Sequence, residues 1–154
     1  MASAVETLYL IGSLRSPEIR TLGNKIRALG GFDVVEDWHA AGSNADTEWQ
    51  EYEQQRGRTY LEAIRGLHAK HVFEFDLKHI TRATIGVLML PAGKSAHMEL
   101  GYMLGQRKRG YVLFDKEPER YDVMYQFATG LFMKEEDLFA ELKSPGQYIK
   151  EYYK

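Results

Sequence analysis

Short apolar runs alternate with amphipathic stretches along most of this chain. Leu8-Tyr9-Leu10-Ile11 is apolar and aromatic and stops at Gly12, the pattern of a first strand. Ser16-Pro17-Glu18 reads as a helix start, with Ser16 as N-cap and Pro17 at the first helical position. Ile19, Leu22, Ile26 and Leu29 then recur at helical spacing until Gly30-Gly31 ends the helix. Phe32-Asp33-Val34-Val35 is the second strand. Residues 37–58 are polar and irregular, with Trp38, Trp49 and Tyr52 embedded. A loop of more than about 15 residues in a compact domain is usually functional or partly helical. Residues 59–83 carry helical patterning, divided at Gly66. Residues 85–90 form a third strand, 95–107 the helix after it, 110–114 a fourth strand and 130–133 a short fifth. Residues 122–128 and 135–142 look helical, and residues 144–154 form a polar, aromatic tail.

Strands alternating with helices predict a mostly parallel sheet covered on both faces. The expected fold is a flavodoxin-like (Rossmann-like) α/β, doubly wound sheet of four or five strands, in a single domain spanning residues 1–154. Such sheets bind ligands where the strand order reverses, outside the carboxyl ends of the strands. The loops there are Gly12-Ser13-Leu14-Arg15 and residues 91–95.

Composition narrows the chemistry. The chain has no cysteine, which removes disulfides, thiolate catalysis and zinc–thiolate sites. A net charge of −2 gives no basic field for polymeric nucleic acid or a membrane surface. No basic segment precedes an apolar core at the N-terminus, and no apolar run approaches the roughly 20 residues of a membrane span. A cytoplasmic protein acting on a small molecule is expected.

Glu99 stands out as a candidate nucleophile: a carboxylate about one turn into the helix that follows the third strand, between Met98 and Leu100. Asp76 lies among Phe73, Phe75 and Leu77 and is read as a partly buried partner; two carboxylates facing one pocket can divide the labour of nucleophile and acid. Spacing alone favours a surface role for it. Gly12, Ser13 and Arg15 suit an anion, because helix N-termini attract phosphate and arginine grips it bidentately. Gly93-Lys94-Ser95 resembles the end of a phosphate-binding Walker A loop, but that motif needs glycine where this chain has Leu88. Ser95 still stands at a helix start. His97 either meets a substrate or caps the helix. Trp38 and His39 follow the second strand, where aromatics can stack on a nucleobase or pin the loop. Tyr9 either reaches the Glu99 carboxylate or is a core aromatic. Met103, Leu104, Met124 and Phe127 are assigned to the core. No histidine spacing matches a metal site.

Three segments together resemble the nucleoside 2-deoxyribosyltransferase superfamily, which includes the nucleoside 5'-monophosphate N-glycosidases. They are Tyr9-Leu10-Ile11-Gly12-Ser13, Asp76, and His97-Met98-Glu99-Leu100-Gly101-Tyr102, and the resemblance covers roughly residues 7–115. It implies Glu99 as nucleophile, Asp76 as second acid and Tyr9 as the group that orients the nucleophile. It also implies a homodimer or higher homo-oligomer, with a neighbouring subunit helping to close each site; the C-terminal tail is one candidate for that task. The nucleoside transferases carry an aspartate six residues before the nucleophile, and that position here is Gly93. The Gly-Ser-Leu-Arg loop looks more like the monophosphate hydrolases. The residues 40–70 are a longer insertion than those hydrolases have.

The resemblance therefore implies retaining cleavage of the N-glycosidic bond of a (deoxy)nucleoside 5'-monophosphate, with no metal or redox cofactor. Carboxyl groups about 5 Å apart fit a nucleophilic route. Ser13, Arg15 and Ser95 would hold the phosphate, and Trp38 or His39 the base. The alternatives are base exchange between deoxynucleosides, a non-catalytic nucleotide-binding regulatory module, and an N-glycosidase of a signalling nucleotide.

Overall fold

The computed structural model describes residues 4–146. Strands β1 (Glu6–Ile11), β2 (Phe32–Val35), β3 (Ile85–Met89), β4 (Arg109–Leu113) and β5 (Gly130–Phe132) form one sheet in the order β2-β1-β3-β4-β5. Every pairing is parallel. This is the flavodoxin-like α/β order, and it reverses between β1 and β3. The helices are α1 (Glu18–Ala28), α2 (Ala45–Gln55), α3 (Tyr60–Ile64), α4 (Leu67–Arg82), α5 (Lys94–Gly105) and α6 (Glu135–Lys143). None among the described residues is long and apolar enough to cross a membrane.

Alternation along β1 sends Leu8 and Leu10 to one face and Tyr9 and Ile11 to the other. The first face packs on α1 and α6 through Ile19, Leu22, Ile26, Leu138 and Leu142. The second packs on α4 and α5 through Ile80, Leu100 and Met103. Burying each such side chain contributes about 1.5–3 kcal/mol, so these two layers hold the sheet flat against its helices. Close seating of α5 depends on two glycines. A Cβ on Gly110 would lie 2.7 Å from Leu104 Cδ2, and one on Gly86 would lie 2.8 Å from Met103 Sδ. Parity thus puts Tyr9 under the same two helices that carry Asp76 and Glu99.

Several local expectations shift. The N-cap of α1 is Pro17, because the Ser16 hydroxyl donates to the Glu18 carboxylate instead of accepting from the helix. Gly30 and Gly31 end that helix with φ of 79° and 85°, as their sequence suggests. Residues 37–58 are largely helical: a 3-10 helix at Asp37–Ala41 precedes α2. Gly66 separates α3 from α4 as its N-cap. Met124 and Phe127, assigned to the core from sequence, are exposed, since they lie on a 3-10 turn (Val123–Phe127) instead of a packed α-helix. The tail assigned a closing role lies almost wholly at 147–154, outside the described residues.

Candidate active site

Glu99 rides in the second turn of α5. Met98 before it is 76% exposed and Leu100 after it is in the core, so Glu99 is held at the boundary, half-buried. Asp76 sits half-buried on α4. Burial pushes the Glu99 carboxyl up to about 8, and the Asp76 charge adds to the rise. Burial also raises Asp76, while the neighbouring His79 imidazole opposes that rise. Asp76 is therefore the better anion of the two, and near neutrality the pair holds one proton between them.

Tyr9 closes the group from below. Its ring is in the core and its hydroxyl is buried with no hydrogen-bond partner among the described residues. Burial raises its pKa, followed by the charges of Glu99, Asp76 and Asp37. An unpartnered buried hydroxyl is unusual in a folded chain and marks a place where another group belongs. Asp37 comes from the 3-10 helix after β2. Neither Asp37 nor His79 stood out in the sequence. His79 follows Asp76 by three residues on one helix face, a spacing that does carry the signal.

Two loops frame this group at the carboxyl ends of β1 and β3. In the first, the Arg15 backbone N–H donates to Ser13 Oγ at 3.1 Å, and the Ser16 N–H donates to the Ser13 carbonyl at 3.0 Å. The Arg15 side chain is exposed and forms no ion pair among the described residues. In the second, Gly93 is the N-cap of α5 and supplies no side-chain cap. Its missing Cβ would meet nothing within 4 Å, so the start of α5 faces open space. Ser95 is exposed there. The first N–H groups of any helix lack intrahelical acceptors and carry partial positive charge.

Comparison with solved structures gives this arrangement a context. The chain superposes on the 2-deoxyribosyltransferase of the psychrotolerant bacterium Bacillus psychrosaccharolyticus with a TM-score of 0.57, at 17% identity, over 92% of this chain and 93% of that one. It superposes on the CMP N-glycosidase BcmB of Clostridium botulinum with a TM-score of 0.50, at 11% identity, over 90% of this chain and 99% of that one. The fold is that of the nucleoside deoxyribosyltransferase-like enzymes. No family model matches the sequence, and no curated protein matches it.

Within this nucleoside deoxyribosyltransferase-like fold, Tyr9, Asp76 and Glu99 come together under one electrostatic influence. Gly12, Ser13, Arg15 and Gly93 lie on the two framing loops, and Ser95 stands in the first turn of α5. Three candidates are otherwise engaged. Trp38 donates its indole N–H to the Leu10 carbonyl at 2.8 Å, satisfying β1 where β2 has ended, and packs on both core layers. His39 bonds the Ser16 carbonyl through Nε2 at 2.8 Å and pins the start of α1. His97 binds within the chain through both ring nitrogens, at Gly93 O and Tyr125 Oη. The Trp38 indole N–H and both His97 ring nitrogens are thus spent on backbone and a neighbour, whereas His39 Nδ1 is buried without a partner among the described residues. Tyr125, 28 residues from His97, gave no sequence signal. Among the described residues no group of three or more His, Asp and Glu is placed to hold a metal.

Proposed function

We propose that this protein is an N-glycosidase of the nucleoside 2-deoxyribosyltransferase superfamily, acting on a nucleoside or 2'-deoxynucleoside 5'-monophosphate. The observation that carries the reading is the half-buried pair Glu99 and Asp76 beside the unpartnered Tyr9 hydroxyl. A Glu99 oxygen attacks C1' as the C1'–N bond breaks, and the bond electrons leave on the base nitrogen. Asp76 delivers its proton to the departing base. Water then attacks C1' of the glycosyl ester, gives its proton to Asp76, and Glu99 leaves as carboxylate. The two displacements retain configuration. Tyr9 donates its hydroxyl to the Glu99 carboxylate and holds it for attack.

A 5'-phosphate is supported by the exposed Arg15 guanidinium, without an ion pair among the described residues, and by the open start of α5 at Gly93 and Ser95, which has no side-chain cap. A second copy of the chain covers exposed apolar side chains of α4 and α5. Leu67 is 86% exposed, Phe73 64%, and Met98, beside Glu99, 76%. Apolar surface of this kind marks an interaction site.

Chromatographic detection of free base tests the reading. Wild type and Glu99→Ala are incubated with nucleosides, 2'-deoxynucleosides and their 5'-monophosphates, with and without a second free base. Release from monophosphates, lost in the variant, supports it. A new nucleoside formed only with the second base makes the protein a transferase. Ligand binding with no release from any substrate points to a binding module.

A further inference from the structure

We propose that His97 and Tyr125 form a latch that sets the position of Glu99 by fastening the first turn of α5 to the segment that follows β4. The proposal rests on the reading of Glu99 as nucleophile. Both are positioning residues and touch no substrate.

The start of α5 needs such a device. Its N-cap is a glycine with no side chain to offer, and the space around Gly93 is open. The Gly93 carbonyl instead accepts twice from one residue: from the His97 backbone N–H at 3.3 Å and from His97 Nδ1 at 2.7 Å. A carbonyl only accepts, so Nδ1 carries the hydrogen. In the neutral ring Nε2 is then an acceptor, and the Tyr125 hydroxyl donates to it at 2.8 Å. One tautomer satisfies both bonds, and both ring nitrogens are spent.

Tyr125 is fixed in turn. Its ring stands edge-on against Phe114 just past β4, with centroids 5.3 Å apart and planes at 68°. Asp122 caps its turn by accepting from the Met124 N–H at 2.8 Å. A continuous line of contacts therefore runs from Phe114 through Tyr125 and His97 to the Gly93 carbonyl. Glu99 follows His97 by two residues on the same helix. Beside the latch lies a cavity of about 210 Å³, lined among others by His97, Leu100, Asp122 and Tyr125. The Tyr125 hydroxyl is thus spent on a bond at an exposed edge instead of on core packing, which points to positioning and not to bulk stability.

Tyr125→Phe tests this in the full chain, because it removes the hydroxyl and keeps the ring on Phe114. The expected result is kcat lower by about three- to tenfold, the worth of one hydrogen bond, with KM within about twofold and an unchanged melting temperature. His97→Asn, which keeps a donor toward Gly93 and loses Tyr125, should lower kcat alike. The double variant should match either single one, since both break the same link. Amide hydrogen exchange over residues 94–99 should quicken in Tyr125→Phe and stay unchanged in α1. A variant with unaltered kcat and unaltered exchange overturns the latch, as does a double variant whose losses multiply. If wild type releases no base, the functional reading fails separately, and exchange over α5 still decides whether the latch holds the turn.

Discussion

The Asp76 charge on α4 raises the proton affinity of Glu99 on α5, on top of the rise that burial produces. The pair therefore loses its protons in two separated steps that belong to both groups. Fully protonated, it has no nucleophile; fully ionised, it has no acid to protonate the base. Only the singly protonated pair cleaves: the proton that Glu99 holds at rest passes to Asp76, leaving the charge on Glu99 as positive charge develops at C1'.

That requirement gives a bell-shaped profile of kcat/KM against pH. The alkaline limb falls at about 8, where the last shared proton leaves. The acid limb lies above the ordinary aspartate range, because Asp76 is raised as well. Initial rates of base release across pH check this. A rate that stays level to about pH 10 contradicts it.

The same shift affects stability. The folded chain holds the Glu99 proton to about 8, whereas the unfolded chain releases it near 4.5. The folded state thus binds more protons in that window, and stability falls as pH rises from 4.5 to about 8. Glu99→Gln is neutral throughout and escapes the loss. It should be more stable than wild type at alkaline pH by about 1–3 kcal/mol, and close to wild type in acid below the window. Thermal melts of both proteins at the two ends of the window measure it. An equal or lower melting temperature for the variant on the alkaline side refutes the buried setting of Glu99.

Tyr9→Phe should separate stability from turnover. The lost hydroxyl has no partner among the described residues, so its removal leaves stability unchanged or raises it by about 1 kcal/mol. Turnover should drop by about tenfold or more, since the nucleophile loses the group that orients it. Denaturant unfolding beside base-release kinetics checks both halves. Full activity in the variant reduces Tyr9 to a core aromatic.

Arg15→Ala should raise KM for 5'-monophosphates by about tenfold or more, and leave KM for the unphosphorylated nucleosides unchanged. Parallel Michaelis curves on one base in both forms read this out. Equal effects on the two substrates remove the phosphate role.

The alternation of apolar runs and amphipathic stretches located all five strands and helices α1, α3, α4, α5 and α6, because a buried parallel strand and an amphipathic helix leave different periods in sequence; α2, mostly polar, falls in the stretch read as irregular. Parity in β1 showed that Tyr9 and Leu10 point apart, but not which helices cover which face. That choice depends on long-range packing of Ile80, Leu100 and Met103 on one side and Leu138 on the other. Asp76 is half-buried as expected, though not for the expected reason: Phe73 and Phe75 beside it are exposed, and the helix face carrying Ile80 turns Asp76 inward. Trp38, His39 and His97 looked like ligand groups because residue type and position along the chain are visible in sequence. Their acceptors are the carbonyls of Leu10, Ser16 and Gly93, and a backbone carbonyl has no side-chain signature in the sequence.

The most direct test of the central claim, that Glu99 is the nucleophile, is intact-protein mass spectrometry after rapid acid quench during turnover, followed by peptide mapping. The expected result is a sugar adduct on the peptide containing Glu99 in wild type, retained configuration at C1' in the product, and no adduct in Glu99→Gln. Base release with inverted configuration, or undiminished turnover in Glu99→Gln, would contradict it.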